Sequence, residues 1–597
     1  MRTKLVNISD IQQAIHMHGP VGAAIGSVAL KMLGLSRLNR YYAQIHQYQG
    51  REFCEQVMNV MDIQHDVLEE DLANIPKTGP FILVCNHPFG AIDGILLFRK
   101  IAAIRPDFKI LTNFILSHIE NLKEHFLPVN PFSELKGKKK SLPGIRAAKE
   151  LLENGGGLGL FPAGEVATYY NRPMIEDKVW SSSMIKLIRT SQVPVIPVYF
   201  DGYNSKTFYR LGKIHPLLRT ARLPKELLNK SGQTITMRIG KPIPVNELNE
   251  YEDNRSLERY LRSRVYAMEA QVCKAKEKHE VLPDNIPPVA SPKPQELLLQ
   301  EIQLLEKENF LFNTANYRCY LADAQQIPNL MHELGRQREE AFRRAGEGTN
   351  TPLDLDEFDN TYKHLLLWDE DKQQLVGAYR LGIGEEIYAK HGVDGFYANT
   401  LFRYNKNKAG SVLPHAIELG RSFVANDYQR EALPLMLLIK GLMFSVVKYP
   451  NCRYLVGPVS ISNWYPDFYK SMMVHYALEH HNAPELADLV QATTPFTPNT
   501  FRCELDALLS KKSDTVEKFD RFMLRLSNNT YRLPTLVKKY IKLNCRFLAF
   551  NVDKNFNYCL DGLILMDLKD TPREEIENLA KDREDRPQIL ARFGFEA

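Results

Sequence analysis

Between residues 81 and 246 short apolar runs alternate with stretches whose apolar positions recur every three or four residues. That pattern predicts strands separated by helices, an α/β domain. The runs 81–85, 109–111, 158–161, 194–200 and 234–239 read as strands, and 145–153 and 183–190 as helices. Pro194 and Pro197 predict an edge or end position for the fourth run. Residues 1–75 carry mixed helical spacing. Within them the small-residue stretch 19–36 reads in two ways, as part of a helical hairpin packed on the next domain or as a segment lying in a membrane interface. A charged helix is predicted from Ser256 to about Glu280, and five prolines between Val281 and Pro294 then mark the clearest linker in the chain. Beyond it come a helix over 329–344, a hairpin of strands over 362–368 and 374–381, and a strand over 415–424. An apolar helix over 435–447 and a strand over 453–457 follow. The pattern predicts a helical N-terminal region (1–75), an α/β domain (76–275), a linker (276–297) and a second α/β domain (298–597).

Composition narrows the partners only a little. Of 597 residues, 44% are hydrophobic and 25% charged, as in an ordinary folded protein. A net charge of +5 and a pI near 8.5 suit an anionic membrane surface or an acidic carrier protein and single out neither. No apolar stretch reaches the roughly 18–20 residues of a membrane span, and the first residues lack the apolar core of a signal peptide. The eight cysteines form no Cys-x-x-Cys pair, which fits a reducing cytoplasm. Signals for nucleic-acid binding are absent. Asp354, Asp356 and Asp359 lack the glycine and terminal glutamate of a calcium loop, so no metal is expected.

Candidate chemistry begins where the first apolar run ends, at Asn86-His87-Pro88, with Asp93 returning beyond a Pro/Gly turn. A neutral imidazole takes a proton from a hydroxyl, and a carboxylate holds it in the right tautomer; the plainer reading is a strand-end turn. Three further stretches follow: His125 to Asn130, Gly155 to Glu165 with Phe161-Pro162-Ala163-Gly164-Glu165 at its end, and Val193 to Phe200. In order and spacing these four resemble the blocks of the glycerolipid (lysophospholipid) acyltransferase family over roughly residues 60–250. The resemblance implies that His87 is the general base and Asp93 its orienting partner, with Asn86, Gly164 and Glu165 lining the acceptor site. The chain departs from the family pattern in three places. Five residues rather than four separate His87 from Asp93, Val166 stands where the family has a phosphate-gripping Arg, and Asn130 and Pro131 stand where another Arg is expected. Loss of bidentate phosphate ligands argues for an acceptor other than a glycerophosphate. Glu165 is then a partner for an amine or hydroxyl. The run Lys136 to Lys140 reads as a solvated loop or as a contact for anionic headgroups or a carrier protein.

In the second half, hairpin, strand, helix and strand follow in the order of the N-acetyltransferase (GNAT) core. Arg338-x3-Phe342, Asp356-x2-Asp359, Arg380 and Glu418-x2-Arg421 resemble, over about 315–568, the signature of acyl-homoserine-lactone synthases and of the related ornithine-lipid N-acyltransferases. By that resemblance Glu418 accepts the amine proton or orients the amine. Arg380 and Arg421 grip a carboxylate or shape the acyl site, with Arg338, Phe342, Asp356 and Asp359 around them. Read structurally, Glu418/Arg421 and Asp356/Arg380 are buried ion pairs. Asn426 to Arg430 replaces the pyrophosphate loop of the GNAT pattern, which favours a donor held through a carrier protein.

Together the halves resemble the fused, bifunctional acyltransferases of bacterial aminolipid synthesis. The fold class implied is α/β, two domains, a glycerolipid-acyltransferase-like domain followed by a GNAT-like domain. The activity implied is N-acylation of an amino acid such as ornithine or glycine with a 3-hydroxyacyl group, then O-acylation of the resulting lyso-aminolipid. No bound cofactor is implied. Acyl carrier protein, or coenzyme A, delivers the acyl group, and the enzyme works at the inner face of the bacterial inner membrane. The competing reading is a lysophospholipid acyltransferase whose second domain only binds the carrier.

Overall fold

The computed structural model describes residues 3–14, 19–113, 119–129, 142–170, 173–276, 286–500, 502–581 and 586–595. It divides into two compact units, Met1–Glu277 with Thr500–Thr530 and Lys278–Asn499 with Tyr531–Ala597. A boundary drawn from the proline run alone divides the chain once, whereas the chain changes units three times. The reason lies in residues 500–530, whose helix Val516–Leu526 buries Val516, Phe519, Phe522 and Met523. An amphipathic helix must cover such a stripe, but its sequence does not say against which body.

The first unit is built on a seven-stranded sheet in the order Gln64–Asp66, Thr234–Ile239, Val195–Asp201, Phe81–Cys85, Gly157–Leu160, Lys109–Asn113, Phe126–Val129. Neighbours run parallel except Val195–Asp201 against Thr234–Ile239. Phe81–Cys85 is buried at every position, as a central parallel strand covered on both faces must be. Of the expected edge or end position, Pro194 takes the end, directly before the strand Val195–Asp201 begins, while an edge position is corrected because the strand lies inside the sheet. Pro197 is tolerated there because its antiparallel neighbour is interrupted beside it, with Val198 opposite Ile239, Val195 opposite Ile243, and Gly240 donating to the Pro197 carbonyl. Helices Leu35–Ile45 and Gly50–Val60 bury Leu38, Tyr42, Phe53 and Val57 in the same core as Phe81, Leu83 and Leu96. Helix Gly19–Met32 instead leaves Ile25, Val28 and Met32 exposed.

The charged helix expected from Ser256 is two helices, Asn254–Tyr266 and Glu269–Lys276. Its charges serve the interior, with Arg264 pairing Glu247 at 3.1 Å and Arg262 pairing Glu504 at 3.0 Å. Arg502 is buried against Glu269 at 2.7 Å and the Tyr199 hydroxyl at 2.7 Å. The pairs made by Glu504 and Arg502 fasten Thr500–Thr530 into the unit.

The second unit holds an eight-stranded sheet in the order Phe310–Thr314, Tyr317–Asp323, Lys363–Asp369, Gln374–Ile383, Ala416–Val424, Tyr454–Ile461, Cys559–Asp567, Arg546–Asp553. Its one parallel pair, Ala416–Val424 with Tyr454–Ile461, is bonded only from Ala416 to Glu418. Beyond Glu418 the two strands part. Helices Pro328–Ala345 and Leu433–Lys448 pack on the sheet.

Candidate active sites

In the first unit the strand Phe81–Cys85 delivers Asn86 and His87 to its C-terminal end. Asn86 is buried and acts as a strand residue by side chain. Its amide donates to the Phe200 carbonyl at 2.9 Å and accepts from the Phe200 N–H at 2.7 Å. Gly90, at φ 106°, turns the chain into helix Ala91–Ile101, whose third residue is Asp93. Asp93 Oδ2 accepts from the Phe89 and Gly90 N–H groups and lies 2.8 Å from His87 Nδ1. The five-residue spacing is therefore absorbed by the helix start, where a carboxylate is welcome at the positive end of the peptide dipoles. With Nδ1–H donated to a fully buried carboxylate, Nε2 is the ring nitrogen left with a lone pair.

The turn is held from three further sides. The His87 N–H donates to Asp177 Oδ1 at 3.1 Å, the Ala167 N–H donates to the His87 carbonyl at 2.9 Å, and Asn204 donates to the Pro88 carbonyl at 3.1 Å. Phe161 packs on the imidazole with ring centres 4.5 Å apart. Burial pushes the Asp177 carboxyl up to about 6, against the lowering effect of the His87 N–H. Sequence reasoning missed Asp177 and Asn204, since neither stands in a motif and both act across more than 80 residues.

Gly164, at φ 70°, donates its N–H to the Phe161 carbonyl, closing the turn that follows Gly157–Leu160. Glu165 lies 2.5 Å from Arg219 and 3.2 Å from Lys178, so its expected partner, an amine or hydroxyl, is met by this chain's own cations. Val166 is buried with Phe208 and Tyr209. Asn130, Pro131 and the lysine run 136–140 lie outside the described residues.

In the second unit three arginines and three aspartates form one largely buried lattice, with Asp356 at its partly exposed edge. Arg338 pairs Asp359 at 2.9 Å, Arg380 pairs Asp356 at 2.5 Å and Asp359 at 3.3 Å, and Arg421 pairs Asp354 at 3.2 Å. Burial opposes ionisation of Asp359, yet Arg338 and Arg380 overcome it and hold its carboxyl well below the usual range. His364, fully buried beside it, is pushed down to about 4 by burial and by Arg338. Phe342 belongs to the core and meets Phe556 edge-on at 5.2 Å. The expected Asp356/Arg380 contact forms. Arg380 has no exposed side-chain surface, and Asp356 and Asp359 both meet its Nη1, leaving Nε and Nη2 buried without a partner among the described residues.

Glu418 and Arg421 do not pair with each other. Glu418 is buried, with Oε2 taking the Tyr362 hydroxyl and the Tyr397 N–H, and Oε1 taking the Ala398 N–H at 2.6 Å. Burial pushes its carboxyl up. A carboxylate with both oxygens filled fastens the segment around Tyr397 to the sheet, and its geometry is that of a clamp rather than of a proton acceptor. Arg421 sits at a β-bulge at φ 46°, a left-handed backbone that costs a non-glycine residue about 1–3 kcal/mol. The bulge lies where the parallel strands have parted. It sets the guanidinium over the rings of Tyr397 and Phe556, 5.1 and 5.0 Å from their centres.

Two carboxyls share this place, Asp561, which belongs to a stretch Cys559-Leu560-Asp561 that resembles the closing region of the ornithine-lipid N-acyltransferases, and Glu347, which no sequence pattern marked. Asp561 faces Ser460 across the adjacent strand and accepts its hydroxyl at 2.7 Å. Glu347 follows the helix-ending Gly346. Burial pushes Asp561 up to about 7 and Glu347 up to about 8, and both feel Arg421 as an opposing charge. A pair of carboxyls with raised affinity for a proton, beside an opening between strands, is suited to taking a proton from an amine.

Comparison with known proteins follows this division. Residues 33–274 match the family described as acyltransferase, and 337–439 match the acetyltransferase (GNAT) domain. The glycine N(alpha)-acyltransferase of Bacteroides thetaiotaomicron is 30% identical over 284 residues, 45% of this chain and 82% of the relative. The lyso-glycine lipid O-acyltransferase of the same organism is 25% identical over 245 residues, 40% of this chain and 87% of the relative. The solved 1-acyl-sn-glycerophosphate acyltransferase of Thermotoga maritima is 18% identical, covering 42% of this chain and 89% of its own, at a TM-score of 0.27. The chain joins an acyltransferase domain to a GNAT domain on one polypeptide, and it belongs to the acyltransferase family of the Bacteroides glycine N-acyltransferase.

Proposed function

We propose that this enzyme performs both acylations of an aminolipid. Its GNAT unit joins a 3-hydroxyacyl group to the amine of an amino acid, and its first unit then esterifies the new 3-hydroxyl. The observation that supports the reading is the His87–Asp93 hydrogen bond in one unit and the buried Asp561 beside parted strands in the other, on one chain with relatives named for each step. Glycine is the amino acid those names suggest.

In the first step the amine attacks the thioester carbonyl. A C–N bond forms, the C–S bond breaks, and the ammonium proton passes to the Asp561 carboxylate, with Glu347 as its neighbour, and on to the departing thiolate. Arg421 is left to favour the substrate carboxylate. In the second step His87 Nε2 takes the 3-hydroxyl proton as that oxygen attacks a second thioester. Asp93 stabilises the imidazolium, which returns the proton to the leaving thiolate. A carrier-protein donor is favoured by the sequence after Val424, where a short turn at Asn426–Tyr428 replaces a pyrophosphate loop. Work at the inner-membrane surface follows from the lipid nature of the second acceptor. Val166 and the paired Arg219 disfavour a glycerophosphate acceptor.

The test is the lipid profile of an aminolipid-free host making the wild-type, His87→Ala or Asp561→Asn protein. Mono-acylated lyso-aminolipid is expected to accumulate with His87→Ala and to fall sharply with Asp561→Asn. Phosphatidic acid rising in place of any aminolipid would overturn the reading.

A further inference from the structure

After Val195–Asp201 the chain secures the catalytic turn through Asn204 and then rises as two helices, Lys206–Ile214 and Pro216–Leu228. Their inner face is rooted in the unit. Ser205 donates from both backbone and hydroxyl to the buried Glu226, and Phe208 and Tyr209 pack with Val166 and Leu223. Leu223 also lies 3.2 Å from where a side chain on Gly90 would stand, so the second helix covers the turn that carries His87.

The outer end is built differently. Every residue from Lys213 to Leu218 is exposed. Ile214 shows 73% of its surface, Leu217 68% and Leu218 45%. Three neighbouring aliphatics at a hairpin tip are a costly arrangement in water and a favourable one in the headgroup boundary of a bilayer. The charge around them is one-sided. Between residues 206 and 228 stand Lys206, Arg210, Lys213, Arg219, Arg222 and Lys225 against the single acid Glu226, an excess of five positive charges, as large as the net charge of the whole chain. Lys206, Arg210, Lys213 and Lys225 are exposed.

We infer that the hairpin Lys206–Leu228 is a membrane-docking element. Ile214, Leu217 and Leu218 enter the headgroup–acyl boundary of a bilayer, and the flanking cations meet anionic lipid headgroups. The charge complementarity commits the surface to an anionic bilayer rather than to a second copy of this chain, which would bring like charge to like. The inference goes beyond the acyl-transfer reading, since binding is measured without turnover. Where that reading holds, it explains how a lipid-borne hydroxyl reaches His87, one helix away from the inserted tip.

The experiment is co-sedimentation of the full chain with vesicles of phosphatidylglycerol and phosphatidylethanolamine, and with vesicles of phosphatidylcholine alone. The wild type is expected to sediment with the first and weakly with the second. Ile214→Asp/Leu217→Asp/Leu218→Asp is expected to bind at least about tenfold more weakly, and Arg210→Glu/Lys213→Glu to lose the preference for phosphatidylglycerol. Ile25→Asp/Val28→Asp, on another exposed aliphatic face, is the comparison that keeps hairpin-dependent binding. Thermal unfolding of each variant shows whether its fold is intact; should the triple variant unfold, the charge variant decides alone. Wild-type protein that stays in solution, hairpin variants that bind as well as wild type, or a tip that mediates self-association in sedimentation velocity would each overturn the inference.

Discussion

Asn86 shows how much of the first site depends on single polar contacts. Its amide supplies both halves of a strand-like bond pair to Phe200, so Asn86→Ala leaves two buried backbone groups unpaired. About 1–3 kcal/mol of stability should be lost, read by denaturant unfolding, together with O-acyl transfer. Gly346 is fixed for another reason. Its φ of 77° is unfavourable for any side chain, and a Cβ there would lie 2.4 Å from the Trp464 indole. Gly346→Ala is expected to cost roughly 1–3 kcal/mol and, by shifting the adjacent Glu347, to slow N-acyl transfer while leaving O-acyl transfer alone. His87 and Asp93 were legible in the sequence because their chemistry is confined to one turn. Asp177 and Glu347 were not, and Asp561 stood in a resembling stretch without a role, because what distinguishes these carboxyls is burial and a partner far along the chain.

Among the elements, helix and strand positions were largely readable, since apolar spacing reports which face is covered. The strand Phe81–Cys85 lies where the apolar run predicted, and Gln374–Ile383 extends the expected strand by two residues. What spacing does not report is the neighbour. The strand Val195–Asp201, whose prolines suggested an edge or end position, is internal, with Pro194 just before its start and Pro197 where the adjacent strand breaks off. Residues 500–530 read as more of the second domain and yet complete the first. Arg502 carries a testable consequence of that placement. Arg502→Leu removes one partner of a buried pair with Glu269 and leaves an uncompensated carboxylate, which should cost about 3–5 kcal/mol. The loss should appear as a lower unfolding midpoint of the first unit, with O-acyl transfer inactivated at a lower temperature than N-acyl transfer. Equal loss of both activities would contradict the assignment of Thr500–Thr530 to that unit.

For the whole molecule, two chemistries on one chain should respond differently to pH. Asp561 and Glu347 are held up to about 7 and about 8 by burial, so they are protonated at low pH and become proton acceptors as pH rises through that window. N-acyl transfer is expected to rise across it, and Asp561→Asn to lower the rate by about 10²–10⁴ and remove this limb. A limb unchanged in Asp561→Asn would assign it to the substrate amine. Rates followed by mass spectrometry of each product, with glycine and then with a lyso-aminolipid as acceptor, separate the two sites. His87→Ala should abolish only the second.

The sequence by itself determined the local grammar of this protein. It marked where strands and helices form, that the chain holds two α/β bodies, and that a histidine and an aspartate stand at the mouth of a buried strand. All of these depend on residues a few positions apart, whose spacing fixes which side chains share a face or a turn. Tertiary structure alone decided the strand order, the return of residues 500–530, the closure of Glu418 by Tyr362 and backbone donors, and the placing of Asp561 and Glu347 within the field of Arg421. Those are matters of burial and of partners hundreds of residues apart, and the free energy of a charge depends on what surrounds it in space, which a linear order of residues does not contain.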